Sequence, residues 1–123
     1  MYIVPHASLA TFSLPGINHQ TIAGQAQGSN LEVWKQTLQP GAATPPHFHE
    51  CMEVIYILQG NGELMANGKT ETFAAECTLV VPPRLVHQII NSGPTAIQLV
   101  ASLSESPGRV FLPTGERLRL PWE

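Results

Sequence analysis

Apolar and polar residues alternate in short runs along this chain, and Gly or Pro interrupts each run before a helical period can build. "LEVWKQTL", Leu31 to Leu38, is rich in strand formers and ends on "QPG", a turn signal. "EVIYILQGNGEL" reads as a strand, a turn at Gly60-Asn61-Gly62 and a second strand. "GELMANGKTETF" repeats the scheme around Asn67-Gly68, the dipeptide of a two-residue hairpin. "CTLVVPP" reads as a buried strand stopped by Pro82-Pro83, "VHQIINSGP" as a strand ending at Ser92-Gly93-Pro94, and "TAIQLVASLS" as a further strand. "RVFLPTGERLRLPWE" has the form of a closing hairpin across Thr114-Gly115. No long segment of period 3.6 with caps is present. The first thirty residues are less regular, and "AGQAQGSN" reads as a loop. Eight or more strands in this order predict an all-β sandwich or barrel, with a jelly roll leading.

Length and composition narrow this picture. At 123 residues the chain suits one domain, since two would each be too small for a good core. Hydrophobic residues make up 43% and charged residues only 12%, against about a quarter in typical domains. That shortfall predicts a covered outer surface, as a second subunit would give. The six basic residues are scattered and the net charge is -3, so no cationic track suits a nucleic-acid backbone. No apolar run approaches a membrane span. "MYIVPHASLATF" has neither a basic n-region nor a clean apolar h-region, so no signal peptide is expected. With that, a cytoplasmic location and reduced thiols at Cys51 and Cys77 are expected.

Candidate chemistry concentrates in "PPHFHECMEV", Pro45 to Val54. Side chains alternate along a strand, so His47 and His49 share a face and Glu53 shares their parity. Two imidazoles and a carboxylate on one interior face suit a divalent metal such as Fe, Mn, Ni, Cu or Zn. A fourth ligand must come from another strand, and His87 is the natural candidate. Against this stands the ordinary alternative, a pair of surface or turn histidines.

The spacing around these residues resembles the cupin superfamily, in particular its small single-domain, RmlC-like, metal-binding members. The first cupin motif, G-x5-H-x-H-x3-E-x6-G, is matched at every fixed position by "GAATPPHFHECMEVIYILQG", Gly41 to Gly60. The second, G-x5-P-x-G-x2-H-x3-N, is matched at Pro82, His87 and Asn91 within "ECTLVVPPRLVHQIIN", Glu76 to Asn91, where Glu76 and Arg84 replace the glycines. The resemblance implies a double-stranded β-helix barrel, a jelly roll, as one domain over residues 1–123. It implies a metal held by His47, His49, Glu53 and His87, with Glu53 also the candidate general base. It implies an enzyme of dioxygenase, other oxidoreductase, lyase or isomerase type acting on a small enol, keto or carboxylate compound. The alternative is a non-catalytic cupin that binds or senses a small ligand around a structural metal. A homodimer is expected, through the outer face of one sheet or the N-terminal segment.

The neighbours of these residues are read as follows. If the positions of Glu76 and Arg84 need positive φ, local strain results; Arg84 could also reach an acidic ligand, though a solvated turn Arg is preferred. Cys51 could line the site or compete as a soft ligand, and a small buried hydrophobe is the preferred reading. Gln36 and Gln98 are candidates to hydrogen-bond a ligand, with their facing open. Trp34, Phe48 and Tyr56 read as core or interface aromatics, Glu50 as solvated, and His6 and His19 as surface residues. A Ser nucleophile has no support, since no G-x-S-x-G elbow and no Asp exist in the chain.

Overall fold

The computed structural model describes residues 2–123. It contains eleven strands: β1 Phe12–Leu14, β2 Ile17–Ala23, β3 Glu32–Leu38, β4 Glu53–Gln59, β5 Asn61–Ala66, β6 Lys69–Ala74, β7 Cys77–Val81, β8 His87–Ile90, β9 Ile97–Leu103, β10 Val110–Phe111 and β11 Arg117–Leu118. Two 3₁₀ turns, His6–Ser8 and Gln25–Gln27, are the helical content of the described residues. One sheet runs β1-β2-β3-β9-β4-β7, a second β6-β5-β8, and β10 pairs with β11. All pairings are antiparallel, and strands distant in sequence lie side by side, as a jelly roll requires. Bridges at Ala43–Ile90, His47–His87 and Phe48–Phe111 stitch the segment before β4 to β8 and β10.

The alternation in the sequence sorts side chains onto two faces. In β4, Glu53, Ile55 and Ile57 are buried while Val54, Tyr56 and Leu58 are exposed. In β9, Ile97, Leu99, Ala101 and Leu103 are buried. With Leu38 and Val81 the buried aliphatic residues among these form a core that Ile89 of β8 joins from the second sheet. Burial of each such aliphatic side chain contributes roughly 1.5–3 kcal/mol.

Several expectations need correction. The N-terminal thirty residues hold a hairpin, β1–β2, turning at Gly16 with φ 72°. Its second strand continues the sheet beside β3. The apolar alternation is faint there because one inward position is His19. Gly60 is not part of a hairpin turn: β4 pairs with β7 and β9, β5 with β6 and β8. The chain changes sheets at this residue, with φ 92° and the carbonyl of Ala96 2.7 Å from where a Cβ would stand, so only Gly fits the corner. β7 is not fully buried; it is the edge of the large sheet, and Val80 is 62% exposed. The Asn67-Gly68 hairpin is as expected, with both residues at positive φ, the mark of a type I′ turn. The closing hairpin β10–β11 also forms.

Candidate metal centre

His47 and His49 lie on the extended segment leading into β4, Glu53 opens β4, and His87 opens β8 opposite His47. All four are buried, and one potential ligand atom from each falls within 4.8 Å of the others. Glu53 Oε1 is 3.1 Å from His87 Nε2 and 3.4 Å from His49 Nε2. The four residues that strand parity and the cupin motifs single out are therefore brought together.

The outward nitrogens of the three rings are all tied to backbone carbonyls. His47 Nδ1 lies 2.7 Å from Pro45 O, His49 Nδ1 2.8 Å from Arg109 O, and His87 Nδ1 2.9 Å from Leu85 O. A carbonyl only accepts, so each Nδ1 carries the proton and each Nε2 presents a lone pair to the cluster. His87 Nε2 then faces the Glu53 carboxylate, lone pair to lone pair. His49 Nε2 is buried without a hydrogen-bond partner. Such an arrangement calls for a cation between the groups, either a proton or a metal. Three imidazoles and one carboxylate are the donor set of a borderline divalent metal, so the residues fit one.

Electrostatics agree with this geometry. Burial alone would raise the Glu53 carboxyl, but the imidazoles of His49 and His87 beside it outweigh burial and hold the group well below the usual carboxylate range. Burial, with the neighbouring His87 and His49, pushes His47 down to about 4. For His49 burial acts downward, yet Glu53 beside it more than compensates and the net shift is upward.

The cluster opens on a cavity of about 60 Å³, room for a few waters or a small ligand. Ile55, Ile89, Leu99, Leu120, Trp34 and Trp122 contribute apolar wall. Besides the ligand residues, Gln36 and Thr44 are its polar lining side chains. Gln36 faces inward with its amide 2.9 Å from His19 Nδ1, whereas Gln98 points outward from β9.

The remaining candidates separate cleanly. Cys51 is 7% exposed and packs into the core, outside the ligand cluster. Arg84 is exposed, a solvated turn residue by side chain, but φ 67° puts it in the left-handed region and its N–H donates to His49 O at 2.7 Å. Glu76 avoids positive φ and accepts the Tyr56 hydroxyl at 2.6 Å. Tyr56 is thus an outer-face residue, 41% exposed. Phe48 stacks on Phe111, and Glu50 is exposed. Trp34 belongs to the core but also lines the cavity, T-shaped against His49. His19 is a correction: it is 1% exposed, stacked on Trp122 at 3.5 Å, and pushed down to about 3 by burial. Trp122, in the closing "LPWE", is a wall residue that sequence reasoning missed; a lone Trp in a polar tail was the available signal.

A family model described as the cupin domain matches residues 34–102. The chain belongs to the cupin family. Auxin-binding protein 1 of Arabidopsis thaliana is 32% identical, covering 90% of this chain and 65% of its own length. Auxin-binding protein T85 of Nicotiana tabacum is 34% identical, covering 79% of this chain and 59% of its own. This cupin therefore spans less than two thirds of the length of these curated relatives. Among solved structures, the polyketide cyclase RemF of Streptomyces resistomycificus superposes with a TM-score of 0.76 at 20% identity, over 98% of this chain and 87% of that one. At that identity the likeness speaks for the jelly-roll fold alone. No helix among the described residues is long and apolar enough to cross a membrane.

Proposed function

We propose that this cupin, one domain over residues 1–123, holds a divalent transition metal through His47, His49, Glu53 and His87 and binds a small carboxylate or enolate there. The observation that carries this reading is an apolar cavity whose polar end is formed by His47, Glu53 and His87 of the four-residue cluster. An anionic head group would take the open metal positions while the body of the ligand lies against Trp34 and the aliphatic wall. The relatives named for binding auxin point the same way. The wall offers no titratable side chain beyond the ligand residues, which favours metal-dependent binding over acid–base turnover.

The second reading is a metal-dependent enzyme of dioxygenase, lyase or isomerase type. Four protein ligands leave one or two positions of an octahedral shell free for substrate, so a bound metal would supply Lewis-acid or O2 chemistry. Glu53 would then serve as base as well as ligand. One experiment separates the readings. Protein reconstituted with Mn, Fe, Ni, Cu or Zn is titrated calorimetrically with phenylacetate and indole-3-acetate, and the mixtures are followed in air by mass spectrometry. Metal-dependent binding without product is expected. Equal affinity for metal-free protein would sink the binding reading, and steady product formation lost in Glu53→Gln would establish the enzyme.

A homodimer is part of the proposal. Val54, Tyr56 and Leu58 of β4 and Val80 of β7 expose a continuous apolar face on the large sheet, a surface suited to a second copy. Light scattering should give twice the chain mass, falling to one in Val80→Lys. A cytoplasmic location is proposed on the two free thiols.

A further inference from the structure

Glu32 is a carboxylate buried in the protein, 7% exposed, and it has no salt-bridge partner among the described residues. Its charge is met by three neutral donors. Trp34 Nε1 donates to Oε2 at 2.8 Å, the Gly108 amide to Oε2 at 2.9 Å, and the Ser106 hydroxyl to Oε1 at 2.8 Å. A carboxylate so placed costs desolvation energy and needs a reason beyond filling space, which an apolar residue would do as well.

The donors supply that reason. Gly108 immediately precedes Arg109, whose carbonyl receives the Nδ1–H of His49. Trp34, the second donor to Oε2, packs T-shaped against the His49 ring, centroids 5.8 Å apart. Ser106 and Gly108 belong to the segment between β9 and β10, and without Glu32 nothing from β3 would hydrogen-bond it. Close fit reinforces the contact: a Cβ on Gly108 would stand 2.9 Å from Glu32 Oε2. Register places Glu32 opposite Leu103, and Leu103 opposite Glu53, so this carboxylate sits level with the metal cluster two strands away.

We infer that Glu32 is a positioning residue for the metal centre: it clamps the 106–109 segment and Trp34 so that the Arg109 carbonyl fixes the His49 ring with Nε2 facing the cluster. The inference rests on the metal reading above for its functional meaning, though the clamp itself is a property of the protein without metal. It makes the reach of the carboxylate decisive rather than its charge. Glu32→Asp keeps the charge but draws it back by one methylene, away from Gly108. Glu32→Gln keeps the reach: its carbonyl accepts from Trp34 and Gly108, and its amide donates to a rotated Ser106 hydroxyl.

The test is titration of the full chain with Co(II), reading affinity and the d–d spectrum, beside Phe73→Ala on β6 as a control that lowers the thermal midpoint away from the site. Glu32→Asp should bind Co(II) about 10- to 100-fold more weakly, the range typical of lost outer-shell partners, with a displaced d–d band. Glu32→Gln should stay close to the parent protein, and Phe73→Ala should keep both affinity and spectrum. Parental affinity and spectrum in Glu32→Asp would overturn the inference. So would an equal loss in Phe73→Ala, or a greater loss in Glu32→Gln than in Glu32→Asp. Should the parent protein take up no Co(II), the metal reading fails and the clamp is judged alone, from ¹H–¹⁵N spectra of the imidazoles in metal-free protein. A His49 Nδ1–H form dominant in the parent and Glu32→Gln but lost in Glu32→Asp supports the clamp; the same form undiminished in Glu32→Asp overturns it.

Discussion

The two faces of β4 are made of the same strand and differ by one residue in register, yet they carry opposite tasks. Inward, Glu53, Ile55 and Ile57 are 4%, 1% and 0% exposed; outward, Val54, Tyr56 and Leu58 are 38%, 41% and 42% exposed. The inner face places one charged group in an otherwise aliphatic row, where His49 and His87 surround it. The outer face is nearly as apolar, and apart from the Glu76 carboxylate that accepts the Tyr56 hydroxyl it stays open to solvent. Hydrophobicity alone therefore does not distinguish core from surface in this strand; the inner row is marked by its carboxylate and by the aliphatic residues that β9 and β3 set against it.

The largest expected contrast lies at the polar ends of the two rows. Glu53→Gln removes the anion from the ligand set and should weaken metal binding by about a hundredfold, ~3 kcal/mol, whereas Tyr56→Phe, three residues along and outward, should leave it unchanged. Isothermal titration with Zn²⁺ or Mn²⁺ reads both. Equal affinities in the two variants would erase the division between the faces. Next in size is packing. Ile57→Ala opens a cavity in the core and should lower unfolding stability by about 2–5 kcal/mol, while Leu58→Ala should stay within about 0.5 kcal/mol in dilute solution. Urea unfolding midpoints measure the difference.

How much of this was legible in the sequence depends on how far apart the partners lie. His47, His49 and Glu53 share one short stretch, so strand parity put them on one face, and motif spacing brought in His87 from β8, with three strands intervening along the chain. Asn91 matched the same motif, and its amide donates to Leu38 O and Thr95 O, tying turns rather than touching the site. Glu32 was invisible because its partners Ser106 and Gly108 lie more than seventy residues on and no local pattern marks such a contact. His19 was misjudged for a related reason. A histidine inside "INHQT" looks solvated until β3 supplies Gln36 and the chain's end supplies Trp122.

His19 extends the contrast to pH, since it is an inward polar group that no metal would neutralise. Its folded pKa of about 3 lies below the unfolded value of 6.5. Between those values the unfolded chain binds the extra proton, so this residue's contribution is intact above pH 6.5 and is lost as pH falls toward 3. The loss approaches 1.4 kcal/mol per pH unit within that window. His19→Gln, which keeps a polar group toward Thr21 and Gln36 but cannot titrate, should flatten the acid limb of a stability–pH curve relative to the parent. Glu53, His47 and His49 contribute in both proteins, so the difference between the curves isolates His19; superimposable curves would place its ring in water.

The smallest effect is expected at Arg84, whose side chain belongs to the outside and whose backbone belongs to the inside. The guanidinium is solvated, but the left-handed φ of 67° aims the N–H at the carbonyl of His49. A non-glycine residue in that region is strained by about 1–2 kcal/mol. Arg84→Gly relieves the strain, offset in part by the greater freedom of glycine in the unfolded chain. A net gain of about 0.5–1 kcal/mol is expected, with metal affinity unchanged because the N–H remains. Arg84→Ala keeps both the N–H and the strained φ, so it should match the parent in stability and in affinity. If instead either variant bound an anionic ligand more weakly than the parent, the Arg84 side chain would have to lie over the cavity mouth, and the line between the two faces would pass through this turn.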